Sequence, residues 1–106
     1  MHESLKDKVV IVTGGAGGIG RAIAERFASA GAKVVVNDIS AEAAGEVVEA
    51  ITDAGQTAMA GVADVSDSAA VGTMVDAAMA EYGRIDVHVN NAGLVSPMLH
   101  FFDADE

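Results

Sequence analysis

Apolar residues along this chain follow two alternating patterns. Short continuous apolar runs are separated by longer stretches in which apolar residues recur every three or four positions. A continuous run is typical of a strand buried on both faces of a sheet, and the longer spacing is typical of a helix with one apolar face. The predicted strands cover residues 8–13, 33–38, 56–63 and 85–90, and the predicted helices cover about 18–30, 40–54 and 66–82. The pattern therefore predicts four strands that alternate with three helices.

This alternation predicts an α/β fold with a parallel sheet, because helices join the strands and no hairpin signal interrupts them. We expect the strand order 3-2-1-4, with helices on both faces and the first and third helices on opposite faces. The 106 residues are expected to form a single domain. The pattern stops after residue 91, where Ser96-Pro97 breaks the chain and residues 101–106 resemble the approach to another helix. We therefore expect a domain that is truncated before its next element.

Composition excludes several classes of protein. A net charge of −10, only six lysines and arginines, and 4% aromatic residues do not fit a nucleic-acid-binding surface. No apolar run approaches the ~20 residues of a membrane span, and the first six residues hold no signal-peptide core, so we expect a cytoplasmic protein without a membrane partner. The absence of cysteine excludes disulfides and thiolate chemistry. His2, His88 and His100 lie far apart in the sequence, and we expect no metal site.

A glycine-rich stretch follows the first predicted strand and opens the first predicted helix. It fits two spacings at once, Gly15-x-Gly17-x-x-Gly20 and Thr13-Gly14-x-x-x-Gly18-x-Gly20. Glycines permit a tight turn, and the N–H groups at a helix N-terminus bind anions such as a pyrophosphate. Because the glycines stand between a strand and a helix, the stretch predicts a dinucleotide-binding site and not merely a turn without a ligand.

Asp38 ends the second predicted strand and is the second mark of such a site. An acidic side chain in this place accepts hydrogen bonds from the adenosine ribose hydroxyls. A 2′-phosphate would face the carboxylate, and no arginine or lysine stands in the glycine stretch or at residues 39–41 to compensate. We therefore predict NAD and not NADP as the cofactor. The alternative, that Asp38 only caps the next turn, competes less well because Ser40 suits that position.

Three motifs in this order, Thr13-Gly14-x-x-x-Gly18-x-Gly20, Asp64-Val65 and Asn90-Asn91-Ala92-Gly93, resemble those of the short-chain dehydrogenase/reductase family. The resemblance implies a partial Rossmann-type fold. It also implies an NAD-dependent oxidoreductase that transfers hydride between nicotinamide and a secondary alcohol or ketone. This chain would be its NAD-binding N-terminal part.

The resemblance further implies roles for individual residues. Asp64 would lie at the adenine amino group with Val65 beside the adenine, Ile19 under the pyrophosphate, and Asn91 and Gly93 along the nicotinamide-side ribose. The predicted cofactor-binding residues are Gly14, Gly18, Ile19, Gly20, Asp38, Asp64, Val65, Asn91, Ala92 and Gly93. We expect two further polar residues, Asn90 and Asp86, to be structural, with the Asn90 amide tying strand four to the loop after strand one.

The catalytic half of the family's pattern is absent. The family's chemistry uses a tyrosine with a lysine four residues later, whereas the only tyrosine here, Tyr82, is followed at that distance by Asp86. No lysine follows Lys33. We therefore predict that this chain is inactive alone, and that the full-length protein is a homo-oligomer acting on a small-molecule substrate.

Two alternatives from other classes are open at this point. A non-catalytic dinucleotide-binding module, complete at this length, would have the same glycine stretch and the same Asp38. A methyltransferase dependent on S-adenosylmethionine would share both features, but it would not account for Thr13-Gly14 or for Asn90 to Gly93.

Overall fold

The computed structural model describes residues 5–91, which form a four-stranded parallel sheet covered by three helices. The strand order is β3-β2-β1-β4, and all three neighbouring pairs are parallel. The predicted order and parallel pairing are therefore confirmed. The elements are β1 Val9–Val12, α1 Gly18–Ser29, β2 Lys33–Asp38, α2 Ala41–Asp53, β3 Thr57–Val62, α3 Ser68–Tyr82 and β4 Val87–Val89.

The fourth strand is shorter than the predicted range 85–90. Before it begins, the Asp86 carboxylate accepts a hydrogen bond from the Val9 N–H at 2.8 Å, so a side chain takes the place of a strand carbonyl. After it ends, the Asn91 N–H donates to the Thr13 hydroxyl at 2.7 Å. A side chain thus takes part in the hydrogen bond at each end of the β1–β4 pairing. The prediction that Asp86 is structural is confirmed.

The two faces of the sheet are covered unequally. Helices α1 and α2 lie on one face and α3 lies on the other, which confirms that the first and third helices are on opposite faces. On the first face the buried cluster comprises Val10, Val12, Ala24, Ala28, Ala32, Val34, Val36, Ala44, Val47, Ile51 and Val89. On the second face it comprises Val9, Ile11, Val35, Ala63, Met74 and Ala78. Every residue of β1 is buried because its side chains alternate between these two clusters.

The three helices differ at their N-termini. Ser40 caps α2 by accepting the Ala43 N–H, and Asp67 caps α3 by accepting two N–H groups. Gly17 precedes α1 and supplies no side-chain cap. The helices contain 12, 13 and 15 residues, and within residues 5–91 none is long and apolar enough to cross a bilayer.

Candidate cofactor-binding site

The glycine stretch follows directly after the carboxyl end of β1, and one of its glycines is required by backbone conformation and another by packing. Gly14 adopts a φ of 62°, which lies in the left-handed region. A Cβ on Gly20 would overlap the carbonyl group of Gly14, so the first turn of α1 packs against the backbone of the loop. These contacts hold the N-terminus of α1 close to the end of the strand.

Two other glycines of the stretch border open space. A Cβ on Gly17 or Gly18 would meet nothing within 4 Å, so no protein contact requires glycine at these positions. Ile19, between Gly18 and Gly20, is 73% exposed. Since no side chain caps α1, the N–H groups of its first turn can serve an anion in this space.

Asp38 lies beside this loop and also holds the turn after β2. One carboxylate oxygen accepts the Ala16 N–H at 3.3 Å, and the other accepts the Ser40 N–H at 3.1 Å. Ser40 itself caps α2, as expected. Asp38 therefore braces the turn after β2, which is the alternative role, and its carboxylate also lies beside the glycine loop.

Asp64 and Val65 follow β3 and are both exposed. One Asp64 oxygen accepts the N–H of Ser66 at 2.9 Å and its hydroxyl at 2.7 Å. These two donors, the backbone N–H first, lower the pKa of Asp64 below its usual value. The carboxylate is therefore charged at neutral pH and remains on the surface as a hydrogen-bond acceptor.

A cleft with a volume of about 240 Å³ joins the glycine loop to the ends of β2 and β3. Its lining comprises Gly14, Asn37, Asp38, Ile39, Ala63, Asp64 and Val65. Ile39 and Val65, 69% and 42% exposed, contribute apolar surface, while the two carboxylates contribute acceptors. Such a lining suits a flat heteroaromatic ring with hydroxyl or amino donors.

The β4 side of the site is held by Thr13. Its hydroxyl oxygen lies 3.2 Å from the Val89 carbonyl and from Asn90 Oδ1, and it accepts the Asn91 N–H. The expectation that Asn90 ties β4 to the loop after β1 is therefore confirmed. The Asn91 amide lies near the Gly14 carbonyl, with 3.5 Å between Nδ2 and the oxygen.

The structure thus brings most of the predicted site residues together at the carboxyl edge of the sheet. Eight of them lie in the loops that follow β1, β3 and β4, at the last residue of β2 or in the first turn of α1, namely Gly14, Gly18, Ile19, Gly20, Asp38, Asp64, Val65 and Asn91. The remaining two, Ala92 and Gly93, lie outside the described residues.

Sequence reasoning missed three residues of the cleft, Asn37, Ile39 and Ala63. Asn37 is 1% exposed. Its side-chain oxygen accepts the Gly14 N–H, with 3.4 Å between the oxygen and the Gly14 nitrogen. Its amide nitrogen donates to the carbonyls of Gly61 at 2.8 Å and Ala63 at 3.1 Å. The available signal was a polar residue at the end of an otherwise apolar buried strand, because such a residue must find partners.

Larger clefts also open on the surface of residues 5–91, and one of them shares Val65 with the candidate site. One of about 520 Å³ opens beside Lys6 and Gly31, next to the start of β3 at the opposite edge of the sheet. Another of about 470 Å³ lies between α3 and β4 and has a mostly apolar lining that includes His88. Within residues 5–91 no three histidine or carboxylate side chains could together hold a metal ion.

Comparison with known proteins gives a family match over nearly the whole chain. The family described as "short chain dehydrogenase" matches residues 8–106. The chain is 42% identical over 105 residues to a cis-4-hydroxycyclohexanecarboxylate dehydrogenase of Sinomonas cyclohexanicum, covering 99% of this chain and 42% of that protein. It is 47% identical over 95 residues to 3beta-hydroxysteroid dehydrogenase 1 of Eggerthella lenta, covering 89% of this chain and 36% of that protein.

The fold also matches solved structures. A 7 alpha-hydroxysteroid dehydrogenase in complex with NADH and 7-oxo glycochenodeoxycholic acid aligns with a TM-score of 0.82 and 42% sequence identity. The alignment covers 89% of this chain and 38% of that one. The chain therefore spans about two fifths of the length of the relatives that it matches.

Proposed function

The chain belongs to the short-chain dehydrogenase family, and we propose that it is the NAD-binding part of an oxidoreductase. The complete protein would transfer hydride between nicotinamide and a secondary alcohol or ketone. Dehydrogenase names among the relatives support the reaction class. The NADH complex of a structural neighbour supports a nicotinamide dinucleotide as the cofactor.

The preference for NAD rests on one observation, the Asp38 carboxylate in the cleft beside Gly14. A ribose with free hydroxyls would donate to this carboxylate, whereas a 2′-phosphate would bring a second negative charge next to it. The neighbouring cleft residues Ile39 and Asp64 supply no positive charge.

We assign the ten predicted residues to four parts of the cofactor. The glycines Gly14, Gly18 and Gly20, with Ile19, would serve the diphosphate, and Asp38 the adenosine ribose. Asp64 and Val65 would face the adenine ring, with Ile39 as an added apolar contact. Asn91, Ala92 and Gly93 would lie along the nicotinamide-side ribose.

The chemistry of hydride transfer comes from the nicotinamide when it is bound. The residues of this chain would bind and orient the dinucleotide, with the α1 N-terminus attracting the diphosphate. Reduction of a ketone also needs a proton donor in reach of the carbonyl oxygen. The one tyrosine does not suit this task, because the Tyr82 ring lies 5.7 Å from Lys33 Nζ at the start of β2, the edge opposite to the candidate site. Burial, and then the charge of Glu81, also raise the pKa of Tyr82 above its usual value.

We therefore propose that this chain alone is inactive and that residues outside it complete the active site. The competing proposal is a dinucleotide-binding module without catalysis, which would have the same glycine stretch and the same Asp38. Sequencing the reading frame beyond residue 106 distinguishes the two, because a Tyr-x-x-x-Lys motif there would support the enzyme. Turnover of alcohols with NAD by the 106-residue chain would contradict inactivity.

The test of the cofactor is calorimetric titration with NAD, NADP and S-adenosylmethionine. We expect NAD to bind at least about tenfold more tightly than NADP, which corresponds to about 1.4 kcal/mol. In the matched Asp38→Asn variant this ratio should shrink, because the amide retains hydrogen-bonding capacity without the charge. Tighter binding of NADP to the wild-type chain would refute the role of Asp38.

A cytoplasmic location and a homo-oligomeric full-length protein remain part of the proposal, and both rest on sequence composition and on the family resemblance. Light scattering on the full-length protein tests the oligomeric state, and a monomer at micromolar concentration would contradict it.

A further inference from the structure

We propose that Asn37 is a positioning residue that couples the two walls of the adenosine cleft. One wall is the glycine loop at Gly14 and Gly15, and the other is the β3–α3 turn, residues 63–66. The inference rests on the proposed function, because it concerns the same cleft. It adds a residue that contacts neither the diphosphate nor the adenine in the assignment above.

The hydrogen bonds of Asn37 reach both walls at once. Toward the loop, its side-chain oxygen accepts the Gly14 N–H, and its main-chain carbonyl accepts the Gly15 N–H at 2.7 Å. Toward the turn, its amide nitrogen donates to the last carbonyls of the β3 region, at Gly61 and Ala63. A single side chain in the middle of the sheet edge therefore joins two segments that are more than forty residues apart in the sequence.

Both segments are closely packed next to these bonds. A Cβ on Gly15 would lie 3.0 Å from the Val12 carbonyl oxygen, and a Cβ on Gly61 would lie 2.7 Å from Met74 side-chain atoms. The backbone at each end of the Asn37 bridge therefore lies in close contact with its neighbours. A change at Asn37 would consequently be transmitted to the loop and the turn instead of being absorbed by neighbouring side chains.

The chemistry of the bridge requires a primary amide. The loop presents an N–H donor, whereas the turn presents two carbonyl acceptors, so the bridging group must accept on one side and donate twice on the other. A carboxylate at this position would face two carbonyl oxygens and stand beside Asp38. An aliphatic side chain would leave buried polar groups without partners, which is costly.

The test compares Asn37→Ala with Val34→Ala in the 106-residue chain. Val34 is fully buried in the same strand, so its truncation also removes core volume, but it lies at the opposite end of β2 from the cleft. Amide hydrogen exchange is measured under native conditions, and AMP affinity is measured by calorimetry and normalised to the folded fraction. Asn37→Ser serves as the milder variant if the alanine variant does not fold.

For Asn37→Ala we expect exchange at least about tenfold faster at Gly14, Gly15 and Ala63 together than in Val34→Ala, because these three N–H groups are hydrogen-bonded in the wild-type chain. We also expect AMP affinity in the folded fraction to fall at least about tenfold, a factor that a purely structural role would not produce. Acceleration confined to one wall, or unchanged AMP affinity, would overturn the proposal. If the wild-type chain does not bind AMP, the proposed function fails, and acceleration of exchange at both walls would still support the coupling.

Discussion

The carboxyl edge of the sheet is built differently on the two sides of β1. On the β2–β3 side, buried Asn37 and half-buried Asp38 form hydrogen bonds to the glycine loop. A cleft lies between this loop and the ends of β2 and β3. On the β4 side, the side-chain hydrogen bonds within residues 5–91 include those of the Thr13 hydroxyl and the Asn91 amide. β1 pairs with β2 at four positions and with β4 at three. Within residues 5–91, the β2–β3 side is thus joined through the buried Asn37 side chain, whereas the β4 side is joined through the Thr13 hydroxyl, so the two halves of this edge depend on different single residues.

The largest effect on stability is expected for Gly20→Ala, which should disrupt both the β2–β3 side and the β4 side of the sheet edge. The new Cβ would overlap the Gly14 carbonyl, so α1 must move away from β1. We expect a loss of about 3 kcal/mol or more in the free energy of unfolding, at the upper end of overpacking costs. Urea unfolding followed by circular dichroism measures it.

Gly18→Ala is the matched control, because a Cβ there meets nothing within 4 Å. We expect unchanged or slightly higher stability but weaker NAD binding, since the diphosphate would occupy the open space. Equal stability losses for Gly18→Ala and Gly20→Ala would contradict this division between packing and ligand glycines.

Next in size is Thr13→Val, which should loosen only the β4 side. Valine keeps the shape of a buried residue but removes the oxygen that accepts the Asn91 N–H. We expect a loss of about 1–3 kcal/mol, the usual cost of an unsatisfied buried polar group. Exchange at Asn91 should accelerate, whereas exchange at Gly15 should not, and Thr13→Ser should restore both stability and protection.

Smaller effects on stability, but clear effects on binding, are expected for Ile39→Ser and Val65→Ser. Both side chains are exposed on the cleft, so their replacement should change stability by less than about 0.5 kcal/mol. Loss of apolar contact with the adenine should weaken AMP binding by about threefold to tenfold. Val62→Ser is the control, because Val62 is 50% exposed but is not part of this cleft; an equal effect there would argue against an adenine contact.

The smallest effect concerns pH and the amino end of β4. The Arg84 side chain, and then the Val9 N–H, lower the pKa of Asp86 below its usual 3.8, although burial opposes this. Because the folded-state pKa is the lower one, the stabilisation is present above the unfolded-state pKa and is lost as the pH falls through the folded-state value. In Asp86→Asn the free energy of unfolding should therefore fall less steeply as the pH decreases below about 4. AMP affinity at neutral pH should be unchanged. A steeper acid limb in this variant would contradict the assignment.

Most of the fold could be predicted from the sequence because its signals are local. The order of strands and helices followed from periodicity, Ser40 was recognised as a cap, and Gly31, Gly55 and Gly83 end the helices at positive φ. The bounds of β4 could not be predicted, because they depend on the Val9 N–H and the Thr13 hydroxyl, which are more than seventy residues away in the sequence.

The candidate site was predictable only where a motif marks it. The sequence by itself determined a glycine loop at the end of β1, an acidic residue at the end of β2 and a family resemblance. Only the tertiary structure separated Gly20, required by packing, from Gly18, which borders open space, because a steric requirement depends on what lies opposite the missing Cβ. It alone also identified Asn37, since a hydrogen-bonded bridge exists only once the chain topology brings the two walls to the same edge of the sheet.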